Sequence, residues 1–353
     1  MNRVYRRTAA LLCTGALTAT AFAAPAAASA SEPAASGLSG TIDSAVAGTV
    51  SGTVLSDTAE EVVGSWTAER MREAVPMDQL ITEDRKRVSL GEVVDTVTGG
   101  EPVSIPSTPR LKLDDLLPGL DGLLGLFRTA SGEPWPGGGE VADTAGRVFF
   151  TFDGQDASCS GNAVTSENGS TVMTAGHCVK MDGSWHEDWV FVPGYHDGQA
   201  PHGEWPAEVT MATQQWVDNE DINYDVGAAV VHEQDGQRLT DVVGGQGIAF
   251  NQERGQHMDA FGYPAAPPYD GSELIRCSGD TFNDPLFSTA IGMRCDMTGG
   301  SSGGPWFLGF DEQAGTGVQN SVNSFGYIFL PGVMFGPYFG DAAQEVYERA
   351  SVS

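Results

Sequence analysis

From residue 140 to the C-terminus, short apolar runs alternate with turn residues, and this alternation limits the fold more than any other feature of the chain. Gly, Pro, Asn and Asp interrupt the runs roughly every ten residues, which is typical of an all-β sandwich or barrel. We predict strands in the apolar runs at residues 148–152, 189–192, 226–231, 258–263 and 324–329.

Two local signals add detail to this prediction. Asn168 followed by Gly169 is the strongest hairpin signal, because a two-residue turn that matches strand twist needs positive φ at both central positions. The pair places residues 171–174 on a returning strand. Near the C-terminus, residues 341–350 predict a short helix with Asp341 as N-cap, whose apolar face holds Ala343, Val346, Tyr347 and Ala350.

The first 139 residues have a different texture. Residues 1–30 carry a basic start, an apolar run and a small-residue end, the order of a secretory signal peptide, and we expect cleavage after Ala30. A membrane anchor is the alternative, but the run is too short to span a bilayer. Residues 31–139 are interpreted as a propeptide and linker, with a capping box at Thr58 and an exposed linker at residues 131–139 that holds neither helix nor strand. The alternative is that residues 31–139 are an N-terminal extension that is not cleaved. Residues 140–353 are predicted to form the main domain.

Acidic residues dominate the composition. The 18 Lys and Arg against 47 Asp and Glu give a formal net charge of -29, which repels phosphate backbones and anionic membranes. We therefore expect no nucleic-acid partner and no membrane association once the signal peptide is gone. The signal peptide predicts an extracellular protein, which we expect to be a monomer.

Four cysteines remain once the signal peptide with Cys13 is removed. An even number of cysteines in an exported protein favours disulfides, and four of them allow three pairings. Zinc is the weaker alternative, because neither spacing is Cys-x-x-Cys and no histidine pair stands at a helical interval. The cysteines are Cys159, Cys178, Cys277 and Cys295.

Two short segments carry the chemistry, residues 174–178 (TAGHC) and 299–305 (GGSSGGP). A serine hydroxyl becomes a strong nucleophile when a base takes its proton, and histidine has the pKa for that exchange near neutrality. Ser302 and His177 suit these two roles. The glycines around Ser302 let the backbone amides of Gly300 and Ser302 point at one spot, where they would stabilise an oxyanion.

These segments resemble the histidine and serine motifs of the chymotrypsin-like serine peptidases, from residue 140 to the C-terminus. The resemblance implies a double six-stranded β-barrel with a C-terminal helix, a site between the barrels, and peptide-bond hydrolysis through an acyl-enzyme on Ser302. It also implies a third residue, an aspartate before an apolar strand, which orients the histidine; Asp225 matches, and Asp221 is the alternative. Disulfides Cys159–Cys178 and Cys277–Cys295 are implied as well.

Chain order separates this family from others with a similar serine string. The α/β-hydrolases place their histidine after the serine, whereas the last histidine here, His257, precedes Ser302. Subtilisin-like enzymes place the aspartate first. The order His, Asp, Ser fits the chymotrypsin-like pattern.

The match departs from the animal enzymes at Ser301, where those enzymes have the aspartate that pairs with the new N-terminus on activation. The propeptide predicted here resembles that of the bacterial secreted relatives, in which a pro-segment assists folding or blocks the cleft. Asp296, six residues before Ser302, stands where trypsin-like members bind a basic P1 side chain. The same stretch resembles glutamyl-endopeptidase-like members, and residues 322–326 lack their pocket histidine, so basic, apolar and acidic P1 all stay open.

Ser324, Phe325 and Gly326 are expected to offer backbone groups to an extended peptide substrate. The remaining histidines show no metal spacing, so we expect surface or structural roles for them, and the chemistry requires no cofactor or metal. The chain is therefore predicted to be a secreted serine endopeptidase made as a zymogen. The alternatives are a catalytically silent peptide-binding homologue and an esterase. These histidines are His186, His196, His202, His232 and His257.

Overall fold

The computed structural model describes residues 50–55, 58–81, 99–108 and 131–353, all within one unit, Ser39–Ser353. The predicted signal peptide and its cut after Ala30 lie outside the described residues. The predicted propeptide is described in part. No helix of the described ranges is long and apolar enough to cross a membrane.

Strands make up most of the regular structure. The strands are β1 Val50–Val54, β2 Val75–Pro76, β3 Val103–Ile105, β4 Glu133–Pro134, β5 Ala145–Phe152, β6 Gln155–Ala163, β7 Thr171–Thr174, β8 Lys180–Met181, β9 Ser184–Trp185, β10 Glu187–Pro193, β11 Trp205–Thr213, β12 Gly227–Val231, β13 Gly247–Phe250, β14 His257–Gly262, β15 Ile275–Asp280, β16 Phe282–Asn283, β17 Ile291–Arg294, β18 Pro305–Asp311, β19 Thr316–Val322 and β20 Val333–Gly336. The helices are α1 Ala59–Ser65, α2 Ala68–Glu73, α3 Met77–Leu80, α4 Glu140–Thr144, α5 Gln214–Asn219, α6 Leu239–Val243 and α7 Asp341–Val352.

Six antiparallel strands close into a barrel in the order β10, β5, β6, β7, β12 and β11. The ring closes because β11 pairs with both β12 and β10. Alternate side chains of each strand point inward, and wholly buried residues such as Phe150, Trp189 and Phe191 fill the interior.

The second half contains a seven-stranded sheet in the order β3, β13, β19, β18, β14, β15 and β4, and a three-stranded sheet of β16, β17 and β20. Its core includes the buried side chains of Met258, Ile291 and Trp306. The buried rings of Phe261, Tyr263 and Phe307 belong to a cluster shared with Phe149 and Val190 of the first barrel. Helix α7 packs against the first barrel through Val346 and Tyr347. The predicted fold class, an all-β double barrel with a short C-terminal helix, is confirmed.

The hairpin predicted near Asn168 forms, and β7 covers residues 171–174 as predicted, but the predicted two-residue turn is wrong. Only Gly169 has a positive φ, 67°, and its amide donates to the carbonyl of Ser166, so the loop is longer. The Asn168 side chain bonds the amide of Ser170 and the carbonyl of Ala350 instead. Pairs with positive φ at both positions occur elsewhere, for example Asp153 and Gly154 between β5 and β6 and Asp182 and Gly183 between β8 and β9.

The strand predicted at residues 324–329 is also wrong. Strand β19 ends at Val322, and Phe325 makes a single bridge to Phe335. The chain turns there because the amide of Leu330 bonds the carbonyl of Tyr327, which leaves Phe329 65% exposed. The apolar run therefore lies in a surface turn.

The C-terminal helix buries the four residues predicted for its apolar face, but it begins one residue earlier than an N-cap at Asp341 implies. Gly340 is the N-cap and Asp341 is the first helical residue. The Asp341 carboxylate accepts hydrogen bonds from the Gly100 amide and the Asn251 side chain, and it is therefore not available to cap the helix.

The prediction that residues 131–139 hold no strand is wrong as well. Glu133 and Pro134 form β4 at the edge of β15, where a proline without an amide hydrogen is tolerated. Trp135 packs edge-on against Phe261 and Phe310. This part of the linker is held on the second half of the molecule.

The described parts of the predicted propeptide are built onto both halves of the molecule. Helix α1 has the predicted capping box at Thr58, and Trp66 after it is buried. Strand β1 pairs with β11 and β2 with β6 in the first barrel, while β3 pairs with β13 in the second half. These parts of the predicted propeptide therefore add the strands β1, β2 and β3 to the two sheets.

Candidate active site

His177 lies in a single 3-10 turn, Gly176–Cys178, immediately after β7. Its Nδ1 is 2.7 Å from Oδ2 of Asp225, and its backbone amide donates to Oδ1 of the same carboxylate at 2.8 Å. Asp225 follows a second 3-10 turn, Ile222–Tyr224, and is fully buried. The two contacts fix both the position and the orientation of the imidazole.

Ser324 completes the surroundings of Asp225. Its hydroxyl donates to Oδ2 of the carboxylate at 2.6 Å, so this oxygen has two partners. Ser324 was expected to serve the substrate through its backbone, and no pattern in the sequence indicates this side-chain contact. The contact joins the end of β19 in the second half to the first barrel.

The charge state of this pair follows from opposing effects. Burial disfavours the charged imidazole, but the Asp225 charge and hydrogen bond outweigh it and, with a smaller contribution from Asp78, raise the pKa of His177 to about 9. Burial also disfavours the Asp225 carboxylate, yet the charge of His177 and the hydrogen bonds to Asp225 lower its pKa. In the full-length chain the pair is therefore charged at neutral pH.

A second histidine supports the first. The Nε2 of His186 lies 2.9 Å from the backbone carbonyl of His177, and its ring stacks on Phe150 at 4.2 Å. Burial lowers the pKa of His186 to about 3, so the ring is neutral and Nε2–H is the donor. His186 therefore has a structural role, one of the two roles expected for it.

The loop around Ser302 depends on glycine. Gly300 and Gly303 have φ values of 95° and 83°, which L side chains rarely adopt. A Cβ on Gly303 would also overlap the Thr174 hydroxyl and the Ser160 carbonyl. Ser302 itself is 4% exposed.

Strand β6 holds this loop in place through one residue. The Ser160 hydroxyl donates to the Gly300 carbonyl at 2.9 Å, and the Ser160 amide donates to the Ser302 carbonyl at 2.7 Å. The amide of Tyr263 in turn donates to the Ser160 hydroxyl. A serine of the first barrel thus positions the serine loop of the second half.

Asp78, a residue of the predicted propeptide, lies at Ser302. The Ser302 hydroxyl is 3.2 and 3.1 Å from the two oxygens of its carboxylate, and the Gly300 amide donates to Oδ2 at 3.2 Å. His177 Nε2 is buried and has no hydrogen-bond partner among the described residues. The Ser302 hydroxyl is therefore directed to Asp78 and not to His177.

Two disulfides lie beside the site. Cys159 of β6 bonds Cys178, the residue after His177, with an S–S distance of 2.03 Å, and Cys277 bonds Cys295. These are the pairs that the resemblance implied. A metal-type cluster in the described residues consists of His177 with Cys159 and Cys178, but their sulfurs are bonded to each other, so they are not thiolate ligands.

The half-buried Asp296 already has partners. Its Oδ1 accepts hydrogen bonds from the Tyr269 hydroxyl at 2.8 Å and from the Gly132 amide at 2.6 Å. Burial and the bond to Asp296 raise the pKa of Tyr269, which therefore stays protonated as the donor. Asp296 thus holds the predicted linker through one of its two oxygens.

Residues 324–326, which were expected to bind the substrate, already make hydrogen bonds with part of their backbone. The amides of Ser324 and Phe325 donate to the Phe335 carbonyl, and the Phe335 amide donates to Phe325. The Ser324 carbonyl and the backbone of Gly326 lie outside this bridge.

No protein-family model matches the chain. A curated relative, an extracellular metalloprotease of Bacillus subtilis (strain 168), is 33% identical over 135 residues, which cover 38% of this chain and 33% of that protein. The chain thus spans about a third of this curated relative's length.

Two solved structures are more similar. The protease Anisep from Arthrobacter nicotinovorans is 46% identical, with a TM-score of 0.57, over 60% of this chain and 96% of that one. The thermostable serine protease AL20 from an extremophilic microorganism is 46% identical, with a TM-score of 0.58, over 61% of this chain and 99% of that one. Nearly the whole length of both proteases is thus covered at high identity, on a fold of the expected class. The chain therefore belongs to the chymotrypsin-like serine endopeptidases.

Proposed function

We propose that the protein is a secreted endopeptidase in which Ser302 is the nucleophile, His177 the general base and Asp225 the residue that orients the base. The observation that carries the proposal is the double contact of Asp225 with His177, at 2.7 Å to the ring and 2.8 Å to the backbone. Such a contact holds the imidazole in one tautomer, with Nε2 turned away from the carboxylate. Nε2 is the nitrogen that would serve Ser302.

The proposed reaction is acyl transfer to water. The Ser302 oxygen attacks a peptide carbonyl while His177 Nε2 takes the hydroxyl proton, and the amides of Gly300 and Ser302 stabilise the oxyanion. His177 then gives the proton to the leaving amine as the acyl-enzyme forms. Water, deprotonated by the same nitrogen, hydrolyses the acyl-enzyme and restores Ser302.

Export and processing belong to the same proposal. The signal-like residues 1–30 direct secretion, and residues 31–139 are removed to give the active enzyme. The disulfides Cys159–Cys178 and Cys277–Cys295 are of the kind that persists outside the cell. The substrate is a protein or peptide.

A basic P1 preference is the finer part of the proposal. Asp296 is half-buried, and its Oδ2 takes no hydrogen bond from the described residues, so one oxygen remains for a cation. Gly132 leaves with residues 31–139, but Tyr269 still shares the other oxygen in the processed enzyme, so we expect the preference for Lys and Arg to be moderate.

Cleavage of a peptide library with all residue types at P1 tests the whole proposal. The secreted, processed protein should cut, Ser302→Ala should not, and Ser184→Ala, which removes an exposed hydroxyl on β9, should cut like the wild type. Mass spectrometry assigns the P1 residues and the mature N-terminus. Equal cutting by Ser302→Ala would rule out Ser302 as the nucleophile, and equal rates for basic and apolar P1 would remove the role of Asp296.

A further inference from the structure

The segment from Thr58 to Ile81 is anchored on the first barrel at several points. Arg70 makes two hydrogen bonds of 2.8 Å to the carboxylate of Asp156, and its guanidinium lies 3.8 Å from the ring centre of Trp66. The indole of Trp66 donates to the Asp188 carbonyl. Met71 is buried in the same hydrophobic cluster as Trp66. We call residues 58–81 the blocking segment.

Strand pairing places the C-terminal end of the blocking segment at the nucleophile. Val75 and Pro76 of β2 pair with Ala157 and Ser158 of β6, in the parallel direction. Ser158 is two residues from Ser160, which holds the serine loop. Met77 is then fully buried in the barrel core, and this leaves Asp78 beside Gly299, Gly300 and Ser302.

The group at the nucleophile is therefore a side-chain carboxylate and not a peptide carbonyl. A carboxylate carbon is a poor electrophile, because its charge is shared by two oxygens, so Ser302 has nothing to attack. One of these oxygens accepts from the Gly300 amide, where an oxyanion would otherwise be stabilised. The arrangement resembles that of a cleaved product, whose new carboxylate occupies the same donors.

We propose that Asp78 is a built-in inhibitor, whose carboxylate binds the Gly300 amide and the Ser302 hydroxyl and keeps the precursor inactive until the blocking segment is removed. The inference rests on the proposed role of Ser302. The carboxylate acts in two ways. It takes the hydrogen bond that Ser302 would give to the base, and its charge favours the protonated, inactive form of His177.

The test is the rate at which a fluorophosphonate probe labels Ser302 in the full-length and processed forms, separated by size on a denaturing gel. This probe needs a reactive serine and free oxyanion donors but no peptide subsites. The wild-type precursor should label slowly and the processed enzyme fast. Because a hydrogen bond to a charged group is typically worth a factor of about ten or more, Asp78→Ala should speed precursor labelling by about tenfold or more.

Two further variants make the result specific. Glu69→Gln removes an exposed carboxylate from α2 of the same segment and should label like the wild type. Asp78→Asn keeps the size and one acceptor oxygen but loses the charge, and should fall between wild type and Asp78→Ala. If the Asp78→Ala precursor does not accumulate, the labelling rate of the Asp78→Asn precursor is compared with that of the wild-type precursor instead.

The outcomes separate the two proposals. The inhibitory role of Asp78 is overturned if the Asp78→Ala or Asp78→Asn precursor labels as slowly as the wild-type precursor while the processed wild type labels fast. An unlabelled processed wild type overturns the role of Ser302 instead. Faster labelling of Glu69→Gln, equal to that of Asp78→Ala, would assign the effect to loss of charge anywhere in the segment and would also overturn the inference.

Discussion

At the scale of single residues, Asp225 is the most fully engaged side chain of the site. It accepts from the ring and the backbone of His177 and from the hydroxyl of Ser324, and it is fully buried. A buried carboxylate without such donors would be costly. The three donors therefore keep a charged group where the imidazolium needs one.

Asp225→Asn should lower kcat by about 10⁴-fold, because an amide at this place favours the tautomer that puts the proton on Nε2. Folding should persist, since the side chains have nearly the same shape. Kinetics of the processed enzyme on a peptide ester and a peptide check this. Asp221→Asn, which changes the other aspartate before the same strand, should leave kcat near the wild-type value; the reverse result would exchange the two assignments.

The pH dependence of the processed enzyme should reflect His177. A protonated imidazole accepts no proton from Ser302, so kcat/KM should fall as pH drops through the pKa of His177. That pKa should lie below the value of about 9 that it has with Asp78 present, because removal of a nearby negative charge favours the neutral ring. NMR titration of His177 in precursor and processed Ser302→Ala protein gives both values. An equal or higher pKa after processing would contradict the expectation.

The sequence was sufficient for His177, Asp225 and Ser302 to be chosen as candidates, because type, spacing and order suffice where a motif is local. It was not sufficient for Asp78. Nothing in the stretch from Met77 to Leu80 distinguishes this aspartate from the other acidic residues, since its contacts are made across 222 and 224 residues of chain. Contacts of that separation depend on the packing of the whole segment.

At the scale of elements, the hairpin loop before β7 and the end of α7 support each other. The Asn168 amide donates to the carbonyls of Ala350 and Ser353, and its oxygen accepts from Ser170 and Thr171. Carbonyls at a helix C-terminus lack partners within the helix. The side-chain amide of Asn168, in the neighbouring loop, therefore supplies hydrogen-bond donors to these carbonyls.

Asn168→Ala should destabilise the protein by about 1–3 kcal/mol, because it leaves several partly buried polar groups without partners. Urea unfolding of the processed Ser302→Ala protein measures this without self-digestion. Asn219→Ala, at the exposed end of α5, is the matched control and should change stability little. A wild-type midpoint for Asn168→Ala would mean that water replaces these hydrogen bonds at no cost.

Elements were predictable where one face is buried and unpredictable where a turn depends on distant partners. The four buried positions of α7 followed from helical period alone. The turn at Asn168 did not, because its side chain bonds a helix far away in sequence. The run at residues 324–329 is as apolar as a strand, yet Ser324 is drawn to Asp225 and the chain turns beyond it.

At the scale of the whole molecule, the predicted propeptide covers sheet strands in both halves. Strand β1 lies on β11 over five residue pairs, and β3 lies on β13 over three. Uncovered strand edges invite pairing with other chains. The segment is thus placed to protect the two halves while they assemble.

Refolding of denatured chains should therefore succeed better with residues 31–139 than without them, because long-range β pairing is slow and exposes edges. The recovered soluble fraction and its near-UV circular dichroism measure this. Asp78→Ala in the longer chain is the control and should refold as well as wild type, since its carboxylate contacts the site and no sheet edge. Equal recovery of the short chain would limit the propeptide to inhibition.

Three successive residues of β6 each reach a different part of this machinery. Ser158 lies against the blocking segment, Cys159 is bonded to the neighbour of His177, and Ser160 holds the loop of Ser302. Because strand side chains alternate between faces, a one-residue slip would misplace all three at once. Directed-evolution libraries that seek new cleavage specificity can therefore vary the surface turns freely, but they will recover active clones only where the alignment of β6 with β5 is kept.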